Sequence, residues 1–176
     1  LFLGLLMILL PFSVYAADES FTRTLPLVGG PYSNAMYTPI VVQQNDGNGR
    51  AIFALRTDGL LYGVDTSGND LSNFPVNLAA LTALPGVRAS DLTGHIVAAA
   101  DLDNDKRIEI IASVAILGPG IDENRLFVLN QDGTVFSDWP QRGLAIAPIT
   151  STPTVADLDH DGEPEIIVGG ALLNPV

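Results

Sequence analysis

The chain has no cysteine, which excludes a disulfide framework, a thiolate metal site and a thiol nucleophile. Basic residues are scarce. Eight Lys and Arg stand against 20 Asp and Glu, for a net charge of −12 and a pI near 4.2. That balance argues against a nucleic-acid binder, which needs Lys and Arg at the phosphates. Only 16% of the 176 residues are charged and 47% are apolar, so disorder is excluded as well. Of the two histidines, His95 stands alone, and no Gly-x-Ser-x-Gly elbow accompanies either, so no catalytic triad is legible. No Gly-rich phosphate loop and no long amphipathic helical period occur. What remains is glycine, proline, short β-branched runs and clustered aspartate.

The one extended apolar run is Leu1 to Ala16. It is short for a membrane span, which needs about 20 residues. Leu5 to Leu10 reads as the apolar centre of a secretory signal peptide, Pro11 ends it, and Val14-Tyr15-Ala16 before Ala17 reads as a cleavage site. Residues 1–16 are therefore expected to be a leader and 17–37 a polar lead-in. The predicted location is extracellular or cell-surface, with the periplasm as an alternative. The chain begins at Leu1 without a basic n-region and stops mid-pattern at Val176, so a fragment of a longer protein is expected. An exported chain without cysteine needs another staple for its loops, and metal is the candidate.

Two stretches suit that role: Asp101-Leu-Asp-Asn-Asp-Lys-Arg-Ile-Glu109 and Asp157-Leu-Asp-His-Asp-Gly-Glu-Pro-Glu165, each running into a β-branched strand. Alternating carboxylates in a tight turn suit a hard cation that takes oxygen ligands at roughly 2.3–2.6 Å, which is Ca²⁺. In the later loop, Asp157, Asp159 and Asp161 fill positions one, three and five. The backbone carbonyl of Glu163 falls at position seven and Glu165 at nine. Leu158 is expected to point into the core and His160 to be a solvent-facing spacer. In the earlier loop the same roles fall to Asp101, Asp103, Asp105, the carbonyl of Arg107, and Glu109. Lys106 stands where the other has Gly162, which predicts strain if the position needs positive φ. The flanks are strand-like, and position twelve is Ala112 or Val168 rather than glutamate, which argues against an EF-hand.

The chain repeats. Leu61 to Pro75 aligns without a gap with Leu126 to Pro140, sharing a glycine turn and a Ser-x-aromatic-Pro end. The aspartate loops recur 56 residues apart, and Gln43, Asn45, Gly47 and Ala51 occupy the corresponding positions of a first, degenerate loop. The expected fold is all-β: four-stranded antiparallel blades of a β-propeller, two to three of them present. Predicted units span about residues 38–92, 93–150 and an incomplete 151–176. A connector over Ala79–Leu92 has room for one helical turn. The aromatic-Pro ends, Phe74-Pro75 and Trp139-Pro140, are expected where one blade meets the next; stacking on sugars is the lesser reading for these aromatics.

The pattern Asp-x-Asp-x-Asp-Gly-x-x-Glu followed by Ile166-Ile167-Val168 resembles the FG-GAP or VCBS-type repeat of integrin α-chain propellers and many secreted bacterial proteins, over about residues 38–176. The resemblance implies a propeller of about seven blades with Ca²⁺ in the blade hairpins. It also implies a non-catalytic scaffold for adhesion or for protein or glycan partners. Lys106, glutamate at position nine and the degenerate first loop depart from the family pattern. Similar propellers occur in secreted polysaccharide lyases and beside hydrolase domains, whose catalytic residues would lie outside this stretch. A quinoprotein-type propeller is a third reading, from Leu126 to Asn130 with Gly133 and Trp139, but the aspartate loops are foreign to it.

Overall fold

The computed structural model describes residues 13–15, 20–22, 38–47, 49–85, 87, 92–118, 121–146 and 152–169. The expected leader and lead-in fall outside these residues, except for β1 (Ser13–Tyr15) and β2 (Ser20–Thr22), which pair antiparallel. Among the described residues no helix is long and apolar enough to cross a membrane.

The rest of the described residues are nearly all β, in antiparallel sheets. β3 (Ile40–Gln43), β4 (Arg50–Leu55), β5 (Leu60–Asp65) and β6 (Val76–Asn77) form a four-stranded meander. A five-residue helix α1 (Leu78–Thr82) follows, capped where Asn77 Oδ1 accepts the Ala80 N–H. β7 (Leu92–Ala100), β8 (Glu109–Gly118), β9 (Ile121–Leu129) and β10 (Leu144–Ile146) form a second meander of the same order. β11 (Thr154–Ala156) and β12 (Glu165–Ile167) make a two-stranded hairpin. These are blades of the predicted kind, and the described sheets do not close on themselves.

The two blades superpose in register. Asp65 and Asn130, 65 residues apart, each open a turn in which their N–H donates to the carbonyl of Asn69 or Thr134. The isolated bridges Val64–Asp70 and Leu129–Val135 keep the same offset. The short fourth strand starts only after the aromatic-Pro pair. Fifteen residues separate Leu61 from its partner Val76, whereas 18 separate Leu126 from Leu144, so three extra residues, Gln141-Arg142-Gly143, precede β10. Gly143 sits against Phe127; a Cβ there would lie 2.8 Å from the ring.

Alternation along each strand feeds two different seams. Ala51, Phe53 and Leu55 of β4 meet Ile110, Ala112, Val114 and Ile116 of β8 in one cluster, with Phe74, Phe127 and Leu129. Ile111, Leu126 and Val128 face the opposite way and pack with Trp139, Ile146, Val155 and Ile166. Phe74 and Trp139 thus sit at blade junctions, as their repeat position suggested, and the Trp139 indole N–H donates to the Leu126 carbonyl at 2.8 Å. Leu158 departs from expectation: it is 60% exposed. Its counterpart Leu102 packs against the β11–β12 hairpin, while among the described residues no further sheet stands beyond Leu158.

Candidate metal centre

In an antiparallel meander the first and third connections share one end of the sheet. Both aspartate loops are first connections, β7–β8 and β11–β12, so strands hold them at both ends. Ala100 pairs with Glu109, and Ala156 pairs with Glu165. This register places position nine at the start of the return strand, beside the loop entrance.

Each loop closes through the same side-chain bonds. At position one, Asp101 Oδ2 accepts the Lys106 N–H at 2.9 Å, and Asp157 Oδ2 accepts the Gly162 N–H at 3.1 Å. At position three, Asp103 and Asp159 accept the N–H of Asp105 and Asp161 at 3.2 Å. At position five, Asp105 and Asp161 accept the N–H of Arg107 and Glu163 at 2.7 and 2.8 Å. At position nine, Glu109 and Glu165 reach back to the N–H of Leu102 and Leu158, both at 2.8 Å. Short acidic side chains favour such local bonds to neighbouring backbone. The glutamate back-bond is invisible to residue spacing, since it needs the strand register to bring position nine alongside position two.

The result converges carboxylates. Asp101, Asp103 and Glu109 bring oxygens within 4.8 Å of one another, as do Asp157, Asp159 and Glu165. Asp105 and Asp161 are outside these two groups and serve the turn. Asp101 Oδ1 and Asp157 Oδ1 are buried and have no hydrogen-bond partner. A partnerless buried carboxylate oxygen is costly unless something positive meets it. Glu109 is only 2% exposed, and its carboxyl is pushed above the usual range. Burial is the main cause, opposed by the Leu102 N–H, and the charges of Asp103, Asp105 and Asp101 add to it. A divalent cation answers each feature: it supplies charge to the cluster and a partner to the orphaned oxygen. The donor set is all oxygen, which fits Ca²⁺.

Positive φ is required at two positions of each loop. Asn104 and His160 at position four have φ of 60° and 64°; Lys106 and Gly162 at position six have 70° and 94°. The strain expected at Lys106 is therefore real. His160 is exposed. Asparagine at a left-handed position is a legible signal, because it tolerates that region better than most residues.

The first connection, β3–β4, is held differently. Gln43 still pairs with Arg50, and the turn closes where the Gly47 N–H donates to Gln44 O at 2.9 Å. Ala51 occupies the row of Glu109, and among the described residues no carboxylate cluster forms there. Asn45 instead reaches blade 2: its Oδ1 accepts the Ile108 N–H at 2.8 Å and its Nδ2 donates to the Ile108 carbonyl at 3.4 Å. Gln131 fastens the same junction, its Oε1 accepting the Asn45 N–H and its Nε2 donating to Gln43 O, both at 2.9 Å. An open cleft of about 380 Å³ lies there, lined in part by Gln44, Asp46, Arg107 and Asp132. Residue order places Asn45 in the degenerate loop and Gln131 in the hairpin turn, with no sign of the junction they fasten.

No curated protein and no solved structure matches the chain. The family model described as an FG-GAP-like repeat matches residues 101–168, a stretch that opens on Asp101, takes in both aspartate loops and ends at Val168. With the blade geometry and the paired loops, this identifies the chain as one that carries an FG-GAP-type repeat on an all-β, propeller-like scaffold.

Proposed function

We propose that each aspartate loop binds one Ca²⁺, and that the ions are structural. Asp101, Asp103 and Glu109 form the gathered core of one site, which Asp105 and the Arg107 carbonyl would complete; Asp157, Asp159 and Glu165 form the core of the other, which Asp161 and the Glu163 carbonyl would complete. The observation that carries this reading is the repetition of one hydrogen-bond scheme that leaves a buried, partnerless Oδ1 at position one of both loops. Bringing three carboxylates together without a counter-ion is repulsive; the cation removes that cost and clamps the hairpin. The carboxylates are then committed to the ion, which favours a binding scaffold over acid–base chemistry. We place the chain outside the cell, exported by residues 1–16, where millimolar Ca²⁺ would keep both loops loaded. Its work there is adhesion to a protein or glycan partner.

The test is thermal unfolding of the full chain in Ca²⁺ and in excess EGTA. A ligand at a hundredfold excess over its Kd stabilises by about 2.7 kcal/mol per site. A domain of this size shifts by roughly 2–4 °C per kcal/mol. Chelation should therefore lower Tm by several degrees. An unchanged Tm sinks the metal assignment.

A further inference from the structure

The aspartate loops are laced to their neighbours by asparagine side chains. Asn104, at position four of the earlier loop, donates from Nδ2 to the Gly162 carbonyl, at position six of the later loop. Gly162 is thereby held on both sides: its N–H donates to Asp157, the first carboxylate of its own loop, and its carbonyl accepts from the neighbour. On the other flank, Asn45 grips both backbone groups of Ile108, which lies between Arg107 and Glu109. Gln131 holds the Asn45 backbone in turn. The earlier loop is thus anchored to blade 1 and reaches out to the later one.

We propose that the two loops are energetically coupled through Asn104, so that cation binding at the Asp101 loop raises the affinity of the Asp157 loop. This rests on the reading of both loops as Ca²⁺ sites. The physical argument is preorganisation. Asn104 can present its amide only while its loop holds φ of 60° at that residue, between Asp103 and Asp105. Without a cation, repulsion among the gathered carboxylates works against that closed loop. Gly162 then loses a partner beside the residues that must close on the second ion. By linkage, the later loop must favour the earlier one by the same factor. Asn104 is a positioning residue here, touching a backbone carbonyl and no ion. One neutral hydrogen bond corresponds to about a fivefold change in affinity.

Calorimetric Ca²⁺ titration of the full chain tests this with three variants. Asp101→Asn removes the first ligand of the earlier loop while keeping an acceptor for the Lys106 N–H. Asn104→Gly removes the amide while keeping the left-handed backbone accessible. Asp157→Asn identifies which transition belongs to the later loop. The affinity of the later loop should fall about fivefold in Asp101→Asn and in Asn104→Gly. The double variant should be no weaker than either. Coupling is overturned if Asp101→Asn leaves the later loop at native affinity, or if the two losses add. If the native chain takes up no Ca²⁺, the metal reading itself fails, and that result stands apart from any variant.

Discussion

Blade 1 and blade 2 share one strand order and one hairpin geometry but differ in whether the first connection gathers its carboxylates to one point. Blade 1 has the single Asp46 in its β3–β4 loop and Asp65 at the opening of its third connection. There Asp65 accepts the N–H groups of Ser67 and Asn69, both at 2.8 Å. Blade 2 has Asn130 at that position, with Asp132 two residues on accepting the Thr134 N–H, and gathers a cluster of acids in its β7–β8 loop. The difference teaches that this hairpin skeleton closes in two ways. A lone carboxylate can be satisfied by backbone N–H groups, and then needs no ion. Three or more around one point cannot, and call for a cation. The seam between blades shows a similar exchange. In blade 1, Phe53 lies across from Gly63; at the same row of blade 2, Ile111 lies across from Val128. Large plus none becomes medium plus medium, with the same number of side-chain carbons in the row.

The largest break in the comparison should come from forcing one half of that exchange. Gly63→Val puts a blade 2 residue into blade 1, where a Cβ alone would lie 2.8 Å from the Phe53 ring and 3.0 Å from Phe74. Overpacking of this kind costs about 1–3 kcal/mol, read as a lower urea midpoint at constant m-value. A neutral result would mean that the two rows are not equivalent. Next come the loops' sixth positions. Lys106→Gly should stabilise by about 1 kcal/mol, and Gly162→Lys should cost a similar amount, because only glycine takes φ of 70–94° without a Cβ penalty. Equal stability across all three proteins would refute the strain.

The third connections should differ in acid. The Asp65 carboxyl is held below its usual range; partial burial opposes this, and the N–H groups of Asn69, Ser67 and Gly68 with the Asn69 side-chain amide outweigh it. A depressed native pKa stabilises the fold above the unfolded value of 3.8, and that contribution is lost as pH falls through the native pKa. Asp65→Asn should remove this acid-sensitive component of the unfolding curve; an unchanged pH profile would assign the acid lability elsewhere. The smallest effect is expected at Ser113, which holds the row of Leu55 and has a buried hydroxyl without a partner. Ser113→Ala should be neutral or stabilising by up to about 1 kcal/mol. A clear loss of stability there would reveal a partner for the hydroxyl.

Much of this was legible in residue order because it depends on local spacing. Alternating aspartates, the Gly68 and Gly133 turns, and the 65-residue offset of the hairpin all report short-range geometry. The fourth strands were less so. β6 and β10 pair for only two or three residues, and the insertion before β10 breaks the offset that located its hairpin. The contacts of Asn45, Asn104 and Gln131 were illegible, since each spans 58 to 88 positions and depends on how neighbouring sheets are set side by side. Leu158 departs from its expected burial for a related reason. Its surroundings depend on the next sheet along and not on its own loop.

Ile110 and Ile111 are adjacent in the chain and both fully buried, yet they belong to separate clusters. A strand in this architecture is a party wall, each face owned by a different neighbour. Substitutions at the two positions share no partners within these clusters, so a double-mutant cycle should find only the coupling that their common backbone carries. Each junction can then drift through its own series of compensating changes, such as Phe53 with Gly63, without disturbing the packing one residue away. A chain built this way can accumulate differences blade by blade while every blade keeps the same backbone.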